Sequence, residues 1–191
     1  MATERTDLER AYEALSGKKA RYDVLFNYYD GDQPLVYSTE RLREVFQRLD
    51  ARFEQNWCAA VVDSVLERLT LKGWDVPEAE ANETLDAIWN ANELVLDAFD
   101  AHAGALITSE AFIVAWPGED GEPEVYYNDP RLCHVFYDPA QPRRKLFAAK
   151  LWEGEDERLY LTLYYPERLE YYASTHRAEN VHSADALTQT G

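Results

Sequence analysis

Asp97, Asp100 and His102 come nearest in this chain to a reactive cluster. Two carboxylates and an imidazole within one helical stretch have the donor types to hold a divalent cation and activate a water for hydrolysis. Positions i, i+3 and i+5 do not share one helical face, however. His102 also stands beside an apolar stripe formed by Leu94, Val95, Ala98, Phe99, Ala105 and Leu106, where a histidine packed in a core is the commoner arrangement. No metal site is assigned, and a metal-dependent hydrolase built on these three residues is kept as a rival reading. His134, His176 and His182 have no ligand spacing. The chain has no glycine-rich phosphate loop, no dinucleotide fingerprint, no nucleophile elbow and no HExxH pair. No catalytic residue and no cofactor are expected, and the protein is not expected to be an enzyme. Cys58 and Cys133 lie far apart and read as two reduced, packed thiols rather than a disulfide or a ligand pair.

Charge excludes more than the motifs do. The 191 residues carry a net charge of −17, and between Lys72 and Arg131 there is no Lys or Arg. Nothing in that stretch neutralises a phosphate, so nucleic-acid binding through it is not expected. The acid surplus supports a second rival reading, an acidic DNA mimic or antirestriction protein, which requires acids spaced along a surface as phosphates are. The polar start of the chain is not a signal peptide, and no apolar run approaches the roughly 18 residues of a membrane span. A soluble protein made in a cytoplasm is expected.

The elements that position these residues follow from periodicity. Leu8, Ala11, Tyr12, Leu15, Tyr22, Leu25, Phe26 and Tyr29 predict a helix over 7–29, with Gly17 a place for a kink and Gly31 its stop. Leu42, Val45, Phe46, Leu49, Phe53 and Trp57 run in phase and predict one long central helix over 40–68, buried on two sides with Trp57 at its centre. A short strand over 69–76 follows, then helices over 83–92 and from Asn92, as N-cap, to 106. From Ala111 the period changes to two. Strands are expected over 111–116, 124–128, 132–137, 145–153, 159–165 and 169–173, joined by Pro-, Gly- and Asp-rich turns. The fold class is α+β: N-terminal helices and then an antiparallel β-meander. The expected divisions are a helical part over 1–108 containing the strand over 69–76, a β part over 109–173 packed on it, and a structureless tail over 174–191.

Five phrases, in order and in register over residues 8–172, carry a resemblance. They are Tyr28-Tyr29-Asp30-Gly31-Asp32-Gln33-Pro34-Leu35; Asn56-Trp57 with Asp63, running on to Trp74; Trp89-Asn90-Ala91-Asn92; Ala111 to Trp116; and Val135-Phe136-Tyr137-Asp138-Pro139. They resemble successive segments in the N-terminal, wing-like part of siphophage-type portal proteins of tailed phages, and an actinobacteriophage source is expected. The resemblance implies a structural subunit of a dodecameric ring at one capsid vertex. Such a ring is the channel for DNA packaging and ejection and the head–tail connector, and it works with major capsid and scaffolding proteins, a terminase and a head–tail adaptor. The family's chain runs on into stem and clip regions that have no counterpart up to Gly191, so no direct DNA contact is expected of this segment. Tyr28, Tyr29, Gly31, Pro34, Leu35, Asn56, Trp57, Asp63, Trp89, Asn92, Asp138 and Pro139 are the positions carried over, in structural roles. A closed ring needs two different surfaces per subunit. The acidic stretch over 75–129 is expected to face a basic set on the neighbouring copy, either that of the first two helices (Lys18, Lys19, Arg21, Arg41, Arg43, Arg48 and Arg52) or that of the later strands (Arg131, Arg143, Arg144, Lys145 and Lys150), with Arg41, Arg43, Arg143 and Arg144 as the contact residues.

Overall fold

The computed structural model describes residues 6–32, 41, 44, 56–71, 76–118 and 121–190. The chain divides into two compact units, Met1–Tyr22 with Ala111–Gly191, and Asp23–Glu110. The unit that carries the sheet is therefore built from both ends of the sequence, where a simple division into a helical first half and a β second half was expected.

Helix α1 spans Asp7–Asp30 without interruption at Gly17. It is opened by a reciprocal pair: Glu9 N donates to Thr6 Oγ1 at 3.2 Å and Thr6 N donates to the Glu9 carboxylate at 2.7 Å. Two of the amides that a helix start leaves unpaired are satisfied this way. Within the sheet unit α1 buries Ala11, Leu15, Lys18 and Tyr22, spaced at three and four residues along one face.

That face meets a five-stranded antiparallel meander, β3 (Cys133–Asp138), β4 (Gln141–Glu153), β5 (Arg158–Tyr164), β6 (Leu169–Arg177) and β7 (Leu187–Gln189), in sequence order. On β4, Phe147, Ala149 and Leu151 are buried, while Ala148, Lys150 and Trp152 on the other face are half-buried. The register Ala149↔Leu163 and Leu151↔Leu161 brings β5 leucines into the same layer, so that Leu15, Leu161 and Leu163 form one core with Phe147 and Leu187. Each such leucine contributes about 1.5–3 kcal/mol by burial. A separate hairpin pairs β1 (Phe112–Pro117) with β2 (Pro123–Asn128).

The last residues depart from expectation. The structureless tail expected from Ser174 is instead ordered. Ser174 is buried, and its hydroxyl accepts from Leu159 N at 3.0 Å and donates to His176 O at 2.6 Å. Two short 3-10 turns, Ala178–Asn180 and Ala184–Ala186, lead into β7, which pairs with β6 at Ser174↔Leu187 and Tyr172↔Gln189. Val181, Ala184 and Leu187 are buried. Three apolar side chains spaced by three, with hydroxyls held by main-chain groups, fill a core edge without producing a helical or strand period.

The second unit contains α2 (Trp57–Leu66), α3 (Ala79–Ala91) and α4 (Leu94–Thr108). The single helix expected over 40–68 is broken at Asn56, whose backbone (φ −82°, ψ 78°) is not helical. Trp57 opens α2 rather than sitting at the middle of a longer helix, and it is 70% exposed. Of the α2 residues only Leu66 is buried. An apolar pattern on all sides of a helix states that much of it must be covered, but not which side its own unit covers. The strand expected over 69–76 is absent from residues 69–71, and 72–75 lie outside the described residues. Asn92, expected to start the next helix, closes α3: its main-chain N and its side-chain Nδ2 both donate to Ile88 O, at 3.1 and 2.9 Å. Glu93, in the left-handed region at φ 51°, is the joint between α3 and α4.

Candidate functional site

Four of the phrase residues, distant in sequence, form one hydrogen-bonded joint. Gly31 ends α1 at φ +82°, a conformation that glycine adopts without steric cost. A Cβ there would come within 3.4 Å of Asn56 Nδ2. Asn56 works with both ends of its amide. Its Oδ1 accepts from Ala59 N at 3.0 Å, capping α2, and its Nδ2 donates to Tyr29 O in a short hydrogen bond. Tyr29 Oη in turn donates to Asp63 Oδ1 at 2.9 Å, one turn and a half into α2. The hydrogen bond to the Asp63 carboxylate, then burial, raise the Tyr29 phenol above its usual pKa. The joint ties the end of α1 to the start of α2 by three side chains and one glycine. Its chemistry is that of a fixed corner: Tyr29, Asn56 and Asp63 are hydrogen-bonded to one another and to the main chain.

The other phrase residues have local roles or lie on the surface. Tyr28 is exposed and Trp89 half-buried on α3. Asp138 Oδ1 accepts from Ala140 N at 2.8 Å and so shapes the β3–β4 turn, in which Pro139 is exposed. Pro34 and Leu35 lie outside the described residues, as does Arg43.

The charged residues sort by what already holds them. Lys18 is buried. Its ammonium donates to Cys133 O at 2.7 Å and lies 4.4 Å from the centre of the Phe112 ring. Arg131 is clamped by Asp129, with its main-chain N at 2.7 Å and its Nε at 3.0 Å from the carboxylate. Lys18 is not a surface cation and Arg131, half-buried, is held by its own Asp129, although both belong to the basic sets read from the sequence. Lys18 was legible, since it falls on the Ala11–Leu15–Tyr22 stripe. Arg143, Arg144 and Lys145 are exposed at the start of β4, and Arg144 has one long ion pair, 3.8 Å to Asp138. Arg41 is exposed.

The reactive-looking residues are not gathered. Among the described residues no three His, Cys, Asp or Glu side chains are placed to hold a metal ion. Asp100 is exposed on α4 while His102 Nδ1 is buried without a hydrogen-bond partner. The thiols differ: Cys58 is exposed, correcting the expectation that both are packed, and Cys133 is buried. Burial pushes the Cys133 thiol up to about 11, against the pull of Lys150 and Lys18. A cleft of about 530 Å³ beside α1 is lined by Lys19 and Arg177 but also by Glu153, Glu157 and Glu179, with Arg177 paired to Glu157 at 2.8 Å. Its charges answer one another. Among the described residues no helix is long and apolar enough to cross a membrane.

The family model described as phage portal protein, SPP1 Gp6-like, matches residues 10–189, nearly the whole chain, and the chain belongs to that family. No curated protein matches it.

Proposed function

We propose that this portal-family chain is a structural subunit of a homo-oligomeric ring at one vertex of a phage capsid, the channel for DNA packaging and ejection and the base of the head–tail connector. The family match over residues 10–189 carries the reading. The family is structural and not enzymatic, and the chain is proposed to have no nuclease, phosphatase or ATPase turnover of its own. Major capsid and scaffolding proteins, a terminase and a head–tail adaptor are its proposed partners, and the mature virion its place. DNA passes the ring without touching this segment. The Tyr29–Asn56–Asp63 joint is a structural part of such a subunit, holding one corner of its helical unit rigid.

Copies are proposed to meet through unlike surfaces, the acidic stretch of one against exposed basic residues of the next. Such pairing sets register and partner choice more than affinity. The decisive test is position in the particle. Antibody raised against this chain, with a gold label, should mark one vertex of virions made from the genome that encodes it. Label on every vertex, on the tail tip, or on no particle would overturn the reading.

A further inference from the structure

Helix α4 carries Val95, Leu96 and Phe99 at 64, 64 and 51% exposure, among the most open large apolar side chains of the described residues. Val95 and Phe99 are one turn apart and form a column. Leu96 and Asp100 form the column beside it, and Glu93 stands at its head. Helix α2, packed on α4, adds a second outward column in Trp57, Val61 and Val65. Large apolar side chains gathered in this way mark an interaction surface. Around α4 the charges have one sign, since no Lys or Arg occurs between Lys72 and Arg131, while the α2 column runs out to the exposed Arg68.

The same chain displays the complement. The β3–β4 turn presents Tyr137, Pro139 and Pro142 exposed, followed by the exposed cations Arg143, Arg144 and Lys145. Its apolar residues and the aliphatic stems of its arginines suit an apolar helix face, and its charged heads suit an acidic rim. By contrast Lys18 and Arg131 are held within their own copy. We infer that the outward face of α4, with α2 beside it, receives the β3–β4 turn of a second copy, an apolar contact with an acidic rim against a basic turn. The contact is head-to-tail, so it propagates from copy to copy as a ring requires. The inference rests on the homo-oligomeric reading above and adds the surface and its occupant.

Two readouts separate the inference from that reading. Sedimentation velocity reports whether copies associate at all. Disulfide trapping reports where. In a Cys58→Ser background, Val95→Cys and Arg143→Cys are made as separate proteins, with Cys133 buried and silent. Mixed and oxidised, they should give an interchain disulfide that neither gives alone. The yield should be several times that of a control mixture in which exposed Thr175→Cys replaces Arg143→Cys. Asp100→Lys should weaken association, and Arg144→Glu in the partner should restore it. Association without a disulfide above control overturns the surface and leaves the ring standing. A disulfide formed equally by either protein alone also overturns it. Copies that stay monomeric at every concentration overturn both.

Discussion

Removing the amide of Asn56 tests whether the corner between α1 and α2 holds the helical unit together. In Asn56→Ala, Ala59 N loses its cap and Tyr29 O loses its donor. A lost N-cap costs about 0.5–2 kcal/mol. A lost net hydrogen bond to a main-chain carbonyl costs about 0.5–1.5 kcal/mol. The two together amount to roughly 2 kcal/mol, because the Tyr29–Asp63 hydrogen bond survives the change. With a urea slope of about 2 kcal/mol per M, the midpoint should fall by roughly 1 M. Far-UV circular dichroism, which follows helix content, is the assay. Asn56→Asp separates the two halves: its carboxylate still accepts from Ala59 N at a helix start, where negative charge is favoured, but it offers Tyr29 O no donor. It should retain about half the stability that Ala loses. An Asn56→Ala midpoint equal to the parent's would refute the joint, and an Asn56→Asp midpoint equal to that of Asn56→Ala would refute the capping half of the argument.

The two thiols should titrate apart. At pH 8 an aromatic disulfide reagent should take one thiol per folded chain, Cys58, and two after unfolding, because Cys133 is buried and its thiol is pushed up to about 11. Rapid reaction of both in the folded protein would contradict the burial. Stability should fall in alkali. Burial raises Tyr164 to about 12 and Cys133 to about 11, from usual values of 10.0 and 9.0. A group with a raised folded-state pKa contributes fully below its unfolded value and loses that contribution as pH rises through the folded one. Urea midpoints should therefore decline between about pH 9 and 12, and a flat profile there would count against both assignments. Leu187→Ala should cost about 2–5 kcal/mol, the range for truncating a buried leucine. A midpoint unchanged by it would return residues 174–191 to the structureless tail that their composition suggests.

Most of the strand order was legible because turn chemistry and a period of two coincide from Ala111 on: Pro117, Gly121 and Pro123 enclose one turn, and Asp138 and Pro139 open another. The end of α1 was legible from Gly31. Its start carried a signal that went unread, the Thr6-x-x-Glu9 pair. What sequence could not supply was sidedness. Trp57, Val61 and Val65 have the spacing of a core stripe and lie in the open, because apolar spacing is the same whether a face is covered by its own chain or by another. Asn56 defeated the reading of one continuous helix, since an asparagine within an in-phase stripe reads as a neutral interior residue until its side chain is seen bonded across to Tyr29. The joint itself was legible only as separate phrases. That Tyr29, Gly31, Asn56 and Asp63 meet is a fact of tertiary structure, which spacing along one chain does not encode.

The sheet unit closes on itself late. Tyr12 Oη donates to Val181 O at 2.8 Å across 169 positions, and Leu15 of α1 packs with Leu187 of the last strand. Chains emerge from the ribosome at about 5–20 residues per second, so α1 waits on the order of 10–30 s for the residues that cover it. Through that interval Ala11, Leu15 and Tyr22 form an apolar stripe without its sheet, while the residues of the helical unit, Asp23–Glu110, have all been made. The order of synthesis thus lets the helical unit form first and leaves the sheet to complete around a helix made before it. In the ring proposed above, every copy carries this exposure. Nascent chains stalled before β5 should consequently be the stage at which chaperones hold it and neighbouring chains most readily tangle.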